Sequence, residues 1–118
     1  MTIKTNGITR LVFLTNNYAI KIPNPFNNHV NFLSGCYANW KERMYYKQWK
    51  QSNYYLKDLV VPTLYCSLFG LVAVQYRCDK LNRELDEDEE DTFIVITEDI
   101  KSENFGYYND TLVCIDYA

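Results

Sequence analysis

The sequence has 118 residues, enough for one hydrophobic core but too few for two, so residues 1–118 are predicted to form a single domain. Its composition is ordinary for a globular protein, and a net charge of −3 without a dense Lys/Arg cluster argues against nucleic-acid binding. Because the sequence shows no apolar signal segment and no run of membrane-spanning length, we expect a cytoplasmic protein without a membrane partner.

The first predicted element is a β-hairpin. Residues 11–14 and 18–22 are rich in β-formers, and the intervening Asn16-Asn17 tolerates the positive φ of a tight turn. Because side chains alternate between the two faces of a strand, Lys21 is predicted to lie in mid-strand, opposite a row of apolar residues.

The main helix is predicted from residue 31 to about residue 51. Apolar residues recur there at helical spacing and are expected to pack on the sheet: Leu33, Tyr37, Trp40 and Met44. Gly35 is the residue least suited to this helix, and Glu42 lies near its middle, on the flank beside the apolar row.

Two more strands are predicted over residues 63–68 and 71–76. The acidic run 84–91 is interpreted as a solvated loop, with a patch that meets a basic partner as the alternative. The β-branched run 93–97 favours a strand.

A second hairpin is predicted from residues 105–108 and 111–115, turning at Asn109-Asp110. The order of elements indicates an α+β fold with a mainly antiparallel sheet.

The cysteines are far apart in the sequence, with no CxxC spacing, and the chain has one histidine, His29. Zinc sites need clustered ligands, so we expect no structural metal. Each cysteine lies in an apolar segment and is interpreted as a small core residue: Cys36, Cys66, Cys78 and Cys114.

Residues 99–118 contain two motifs that carry chemistry. A D-[LI]-K-x-x-N pattern falls on Asp99, Lys101 and Asn104, and a D-Y-A tripeptide begins at Asp116, one hairpin later. This order and spacing resembles the catalytic loop and the D-F-G metal loop of protein kinases.

The resemblance extends toward the N-terminus. The Y-A-I-K run that ends at Lys21 is similar to the V-A-I-K strand of kinases, and Glu42 stands where the helix glutamate that pairs with that lysine would lie. Residues 78–81 stand at the position of the hinge. The resemblance implies a kinase N-lobe-like antiparallel sheet with one main helix and a catalytic-loop/metal-loop hairpin, without the helical C-lobe, and it predicts an ion pair between Lys21 and Glu42.

The resemblance also implies a cofactor site for Mg-ATP. In that case Lys21, supported by Glu42, would hold the α- and β-phosphates, while Asn104 and Asp116 would supply oxygen ligands to Mg²⁺.

The catalytic residues implied by the resemblance are Asp99, for the substrate hydroxyl, and Lys101, for the γ-phosphate. Several features depart from the kinase pattern. Gly7 is the only glycine before the first hairpin, so the Gly-rich loop is absent, and Glu98 stands beside Asp99 where an arginine is usual. Ala118 replaces the last glycine of D-F-G. These departures argue against turnover and predict weak or absent ATP binding.

The sequence of the last segment has N-F-G at residues 104–106 and D-Y in place of D-F. In these features it resembles small kinase-like (pseudokinase) proteins encoded by bacteriophages. That resemblance implies action in the host cytoplasm.

Three functions remain open. The first is a non-catalytic kinase-like interaction protein, with no cofactor, that binds and inhibits a host or defence protein or forms a homodimer. Its interface is predicted at large side chains that a helical lobe would cover in a kinase: Phe93, Tyr107, Tyr108 and Tyr117. The second is a minimal ATP/Mg-dependent phosphotransferase, and the third is a plain α+β module in which the motifs are coincidental.

Overall fold

The computed structural model of the chain describes residues 2–4 and 9–118. The stretch between residues 4 and 9, with Gly7, lies outside the described residues. The strands and helices within the described residues are, in chain order, β1 (Thr2–Lys4), β2 (Arg10–Leu14), β3 (Tyr18–Pro23), α1 (His29–Gln51), β4 (Thr63–Cys66), β5 (Ala73–Tyr76), β6 (Asp79–Lys80), α2 (Glu87–Phe93), β7 (Phe105–Tyr108) and β8 (Thr111–Cys114).

The strands form two antiparallel sheets, one with the order β1-β2-β3-β5-β4 and one with the order β6-β7-β8. Both predicted hairpins are confirmed. The first turns at Asn16-Asn17 and the second turns at Asn109-Asp110. Asn109 and Asp110 have φ values of 50° and 63°, which short polar side chains tolerate. The fold is α+β with one main helix, as the sequence predicted.

Helix α1 starts and ends close to the predicted positions. Asn28 caps it, because its side chain accepts a hydrogen bond from the backbone N–H of Asn31. The face that the helix buries is not the predicted one: its buried residues are Gly35, Asn39 and Glu42.

The prediction that the apolar row of α1 packs on the sheet was therefore wrong. Leu33, Tyr37 and Trp40 are all exposed. The physical reason lies partly in Gly35, where a Cβ would stand 2.2 Å from the carbonyl oxygen of Thr9 and 2.9 Å from the Cα of Pro23. The backbone of the helix approaches the sheet so closely that only a glycine fits at this contact.

The predicted strand at residues 93–97 was also wrong. Asp86 and Glu89 form a capping box, in which each side chain accepts a hydrogen bond from the backbone N–H of the other residue. This box starts α2 inside the acidic run, where carboxylates suit the positive end of the helix dipole. The helix ends with Phe93, which is buried against Phe105 at a ring-centroid distance of 5.0 Å.

The second sheet packs onto the rest of the chain through one hydrophobic core. Val60 forms a parallel bridge with Cys114, and the backbone of Cys114 also accepts a hydrogen bond from Val61 and donates one to Leu59. The buried members of this core are Val60, Val61, Leu81, Leu85, Phe93, Phe105, Val113, Cys114 and Tyr117.

All four cysteines are free thiols, and Cys114 alone among them is fully buried. Burial raises the pKa of the Cys114 thiol to about 12. None of the helices formed by residues 9–118 is long and apolar enough to span a membrane.

Candidate functional site

The carboxylate of Glu42 is the centre of a buried polar network between α1 and the five-stranded sheet. It accepts hydrogen bonds from Nη1 of Arg10 at 2.7 Å and from Nη2 of Arg10 at 3.1 Å. Nζ of Lys21 lies 3.0 Å from Oε1 of Glu42. Nε2 of Gln75 at 3.3 Å and the backbone N–H of Tyr117 at 3.0 Å complete the set of donors.

The strand register explains why these donors meet. Lys21 is paired with Val12 on β2 and with Ala73 on β5. Because residues two apart in a strand share a face, Arg10 lies on the Val12 side of the same face, and Gln75 lies on the Ala73 side. Three polar side chains from three neighbouring strands therefore face α1 at the level of Glu42.

The charges of this network stabilise one another. Burial alone would raise the pKa of Glu42, but the adjacent Arg10 and Lys21 lower it to about 2. Burial lowers the pKa of Lys21 from its ordinary value, against the opposing effect of the Glu42 carboxylate. For Arg10 the attraction of Glu42 and Asp116 outweighs burial and raises the pKa.

Asn39 holds the helix, the sheet and the 3-10 turn at Leu68–Gly70 together. Its Oδ1 accepts from Nη1 of Arg10 at 3.1 Å, and its Nδ2 donates to the carbonyls of Lys21 and Gly70 at 3.0 and 2.9 Å. Among the described residues, no buried side-chain nitrogen or oxygen lacks a hydrogen-bond partner. Such complete pairing fixes the geometry of the buried charges.

Tyr117 was predicted to lie at an interface, but it is buried in its own chain and only 3% exposed. Its hydroxyl donates to the carbonyl of Val61 at 2.9 Å and forms a short hydrogen bond with Oγ1 of Thr63, which also accepts from Nε2 of Gln75. Phe93 is likewise buried in the hydrophobic core of its own chain, at 3% exposure. For both residues the interface prediction was wrong, because the chain itself covers them.

The other two predicted interface residues are half-buried. The ring of Tyr108 stacks on Tyr76 at a centroid distance of 5.2 Å, and the hydroxyl of Tyr107 accepts a hydrogen bond from Nη2 of Arg83 at 3.2 Å. Each therefore has contacts within the chain, and their role at an interface stays a prediction.

A pocket of about 180 Å³ opens beside the buried network. It brings together three of the predicted site residues, Lys21, Asn104 and Asp116. The remaining lining residues come mainly from β2, β3 and the end of β5: Thr9, Arg10, Val12, Leu14, Ala19, Gln75, Tyr76, Cys78, Glu103 and Ile115.

The polar groups of this pocket already have partners. The Asp116 carboxylate forms a short ion pair with Nη2 of Arg10. Nζ of Lys21 donates to the carbonyl of Ile115 at 2.6 Å, and the backbone N–H of Ile115 donates to the carbonyl of Asn104 at 2.8 Å.

The two predicted catalytic residues lie outside the lining of the pocket. Asp99 and Lys101 form an ion pair at 3.3 Å with both side chains more than half exposed. Asp99 is connected to the pocket residue Asn104 by a hydrogen bond, in which Nδ2 of Asn104 donates to the backbone carbonyl of Asp99 at 2.9 Å.

Arg10 is the main site residue that the sequence analysis missed. It has no motif of its own, and the only available signal was its spacing of two residues from Val12 within a β-rich run. Within residues 9–118 and the first strand, no group of three or more His, Cys, Asp or Glu side chains is placed to hold a metal ion.

Comparison with known proteins gave no relative: no family model, no curated protein and no solved structure matches this chain.

Proposed function

We propose that this chain is a non-catalytic kinase-like interaction protein, of the kind encoded by bacteriophages, that binds and inhibits a host or defence protein. The observation that carries the proposal is the ion pair between Arg10 and Asp116, which places an arginine on the carboxylate that would hold Mg²⁺ in a kinase.

The arginine is an obstacle to metal binding. Arg10 is itself buried and is held by both oxygens of Glu42, so it cannot move away from Asp116 without breaking those bonds. A divalent cation at Asp116 would stand next to a fixed positive charge, and like charges in a partly buried site repel strongly.

The lysine is equally occupied. Nζ of Lys21 is bonded to Glu42 and to the carbonyl of Ile115, so contact with a phosphate would require it to leave the carbonyl.

The kinase-like part of the proposal is supported by the arrangement of Lys21, Glu42 and Asp116. A strand lysine paired with a helix glutamate, next to an aspartate that follows a hairpin, is the arrangement that the resemblance predicts.

The alternative is a minimal ATP/Mg-dependent phosphotransferase. It is favoured by one observation, the presence of Lys21, Asn104 and Asp116 in the lining of a common pocket.

A calorimetric titration with Mg-ATP separates the two functions. We expect no binding at concentrations up to about 1 mM, both for the wild-type protein and for the matched Asp116→Asn variant. Affinity in the micromolar range that is lost in Asp116→Asn would overturn the proposal and support the phosphotransferase. The interaction itself is tested by co-purification from bacterial lysate, where we expect a host protein to be retained; if the tagged protein retains none, the proposed function is wrong.

A further inference from the structure

The outer face of α1 carries a continuous row of apolar side chains. Its five members follow one another at alternating spacings of three and four residues: Val30, Leu33, Tyr37, Trp40 and Met44. The exposed fractions of the first four are 61%, 63%, 57% and 47%, and Met44 is half-buried. We call this row the apolar stripe.

The spacing of the apolar stripe is that of a coiled-coil seam. Alternating steps of three and four residues average 3.5, the repeat that keeps two helices in contact along their length. The stripe lies opposite the face that packs on the sheet, because Gly35, Asn39 and Glu42 occupy the buried side. Large exposed apolar patches on a protein of this size mark interaction surfaces.

The charges beside the apolar stripe are all positive. Of the basic residues of α1, Lys41, Arg43 and Lys50 stand at positions that flank the seam, and Lys47 stands at the next seam position after Met44. Its single acidic residue, Glu42, is fully buried, so none of the helix's exposed charges is negative, although the chain as a whole carries −3. Lys41 lies directly over the ring of Tyr37, with Nζ 4.7 Å from the centroid.

From this geometry we infer that the apolar stripe binds one amphipathic helix of a partner protein, with apolar residues at heptad spacing and acidic residues on the flanks. The inference rests on the proposed function, because it names the surface and the class of partner. The acidic flanks follow from charge complementarity, since the flanking positions of a coiled coil decide which helix pairs with which.

The same charges argue against two other occupants. In a pair of α1 helices from two copies of the chain, the flanking cations would meet no acidic side chain, because Glu42, the one acidic residue of the helix, is buried. An anionic membrane would attract these cations, but it would repel a protein of net charge −3, whose acidic α2 adds to that repulsion.

The test uses the full chain and synthetic helical peptides of three heptads, about 21 residues, with leucine at the seam. One peptide has glutamate at the flanking positions, and the matched peptide has lysine there. Fluorescence anisotropy should show that the glutamate peptide binds, that its affinity falls as salt rises, and that the lysine peptide binds at least about tenfold more weakly.

Three variants, one of them a control, locate the binding surface. Leu33→Gln with Tyr37→Gln should lower the affinity for the glutamate peptide about tenfold or more. Val95→Gln, at an equally exposed apolar position, should leave that affinity unchanged. Lys41→Glu with Lys50→Glu should reverse the preference in favour of the lysine peptide. Circular dichroism is expected to show wild-type folding in all three, since the changed side chains are not part of the core.

Several results would overturn the inference. The first is equal binding of the two peptides, and the second is no binding of either peptide. The third is a dimer of the wild-type chain that does not form in the variant with Leu33→Gln and Tyr37→Gln. The fourth is binding of the protein to anionic vesicles that the glutamate peptide does not reverse. If that variant captures the same lysate protein as the wild type, the surface is wrong and the proposed function stands.

Discussion

Nζ of Lys21 lies 3.0 Å from Oε1 of Glu42, and both side chains are almost completely buried. This ion pair between β3 and α1 confirms the predicted contact. A buried ion pair is not by itself more stabilising than an apolar pair of the same volume, but removal of one partner leaves the other charge buried without compensation. The role of the two residues in cofactor binding stays a prediction.

Replacement of Glu42 by glutamine should therefore be severely destabilising. The variant leaves Lys21 buried without an anion and Arg10 with only the half-exposed Asp116, and we expect the free energy of unfolding to fall by about 3–5 kcal/mol. Urea denaturation followed by far-UV circular dichroism measures it. The control is Glu98→Gln at an exposed position, which should change stability by less than about 0.5 kcal/mol. A Glu42→Gln variant as stable as this control would contradict the network.

The buried carboxylate of Glu42 also predicts that the stability of the protein falls at acid pH. The pKa of Glu42 is about 2 in the folded chain, below the ordinary value of 4.5. The unfolded chain therefore binds the proton more readily, so the contribution of Glu42 is fully present above pH 4.5 and is lost as the pH falls toward 2. At about 1.4 kcal/mol per pKa unit, the loss is about 3 kcal/mol.

Denaturation curves between pH 6 and pH 2 measure this loss at constant ionic strength. Relative to the wild type, Glu42→Gln should show a shallower fall in unfolding free energy on acidification, and Glu98→Gln should follow the wild type. Parallel curves for all three proteins would show that the pKa of Glu42 is not lowered.

The ion pair between Arg10 and Asp116 should contribute much less. The Asp116 side chain is 46% exposed, and water already solvates part of its charge. We expect Asp116→Asn to lower the free energy of unfolding by no more than about 1 kcal/mol, because Arg10 keeps Glu42 as a partner. A loss as large as that of Glu42→Gln would mean that Asp116, rather than Glu42, is the essential counter-ion of Arg10.

Helix α2 should be required for stability. Phe93 is only 3% exposed and packs edge-on against Phe105, so Phe93→Ala removes a large side chain from the core. We expect a loss of about 3–5 kcal/mol in unfolding free energy. Val95→Ala, two residues later and 58% exposed, should cost less than about 0.5 kcal/mol. If the two variants are equally stable, Phe93 does not pack in the core.

Local signals in the sequence predicted most of the elements. The positions of both hairpins were predicted from local sequence. Asn109 and Asp110 adopt the predicted positive φ, whereas neither Asn16 nor Asn17 does, so only the location of the first turn was predicted correctly. The capping box of Asp86 and Glu89 is an equally local signal, and it starts a helix. The β-branched run after it favours a strand, and for that reason α2 was not predicted.

The orientation of α1 could not be predicted from periodicity. Its apolar row indicated the buried face, whereas the helix buries Asn39 and Glu42 because two cations and one carbonyl on the sheet, and the carbonyl of Gly70, need these partners. Those partners come from β2, β3 and the Gly70 turn, and they become visible only when the strand register is known. Arg10 was missed for the same reason.

The hydrogen bond from Tyr117 to Glu42 also makes the buried network depend on residues that are synthesised far apart in time. The two residues are 75 positions apart, while Lys21 is only 21 positions from Glu42. Lys21 and Glu42 are therefore both present in a nascent chain long before Tyr117 is added. Until then the Glu42 carboxylate lacks its backbone donor, Lys21 lacks the carbonyl of Ile115, and water has access to both charges. Completion of the buried network around Glu42 and Lys21 therefore requires the segment that follows the second hairpin.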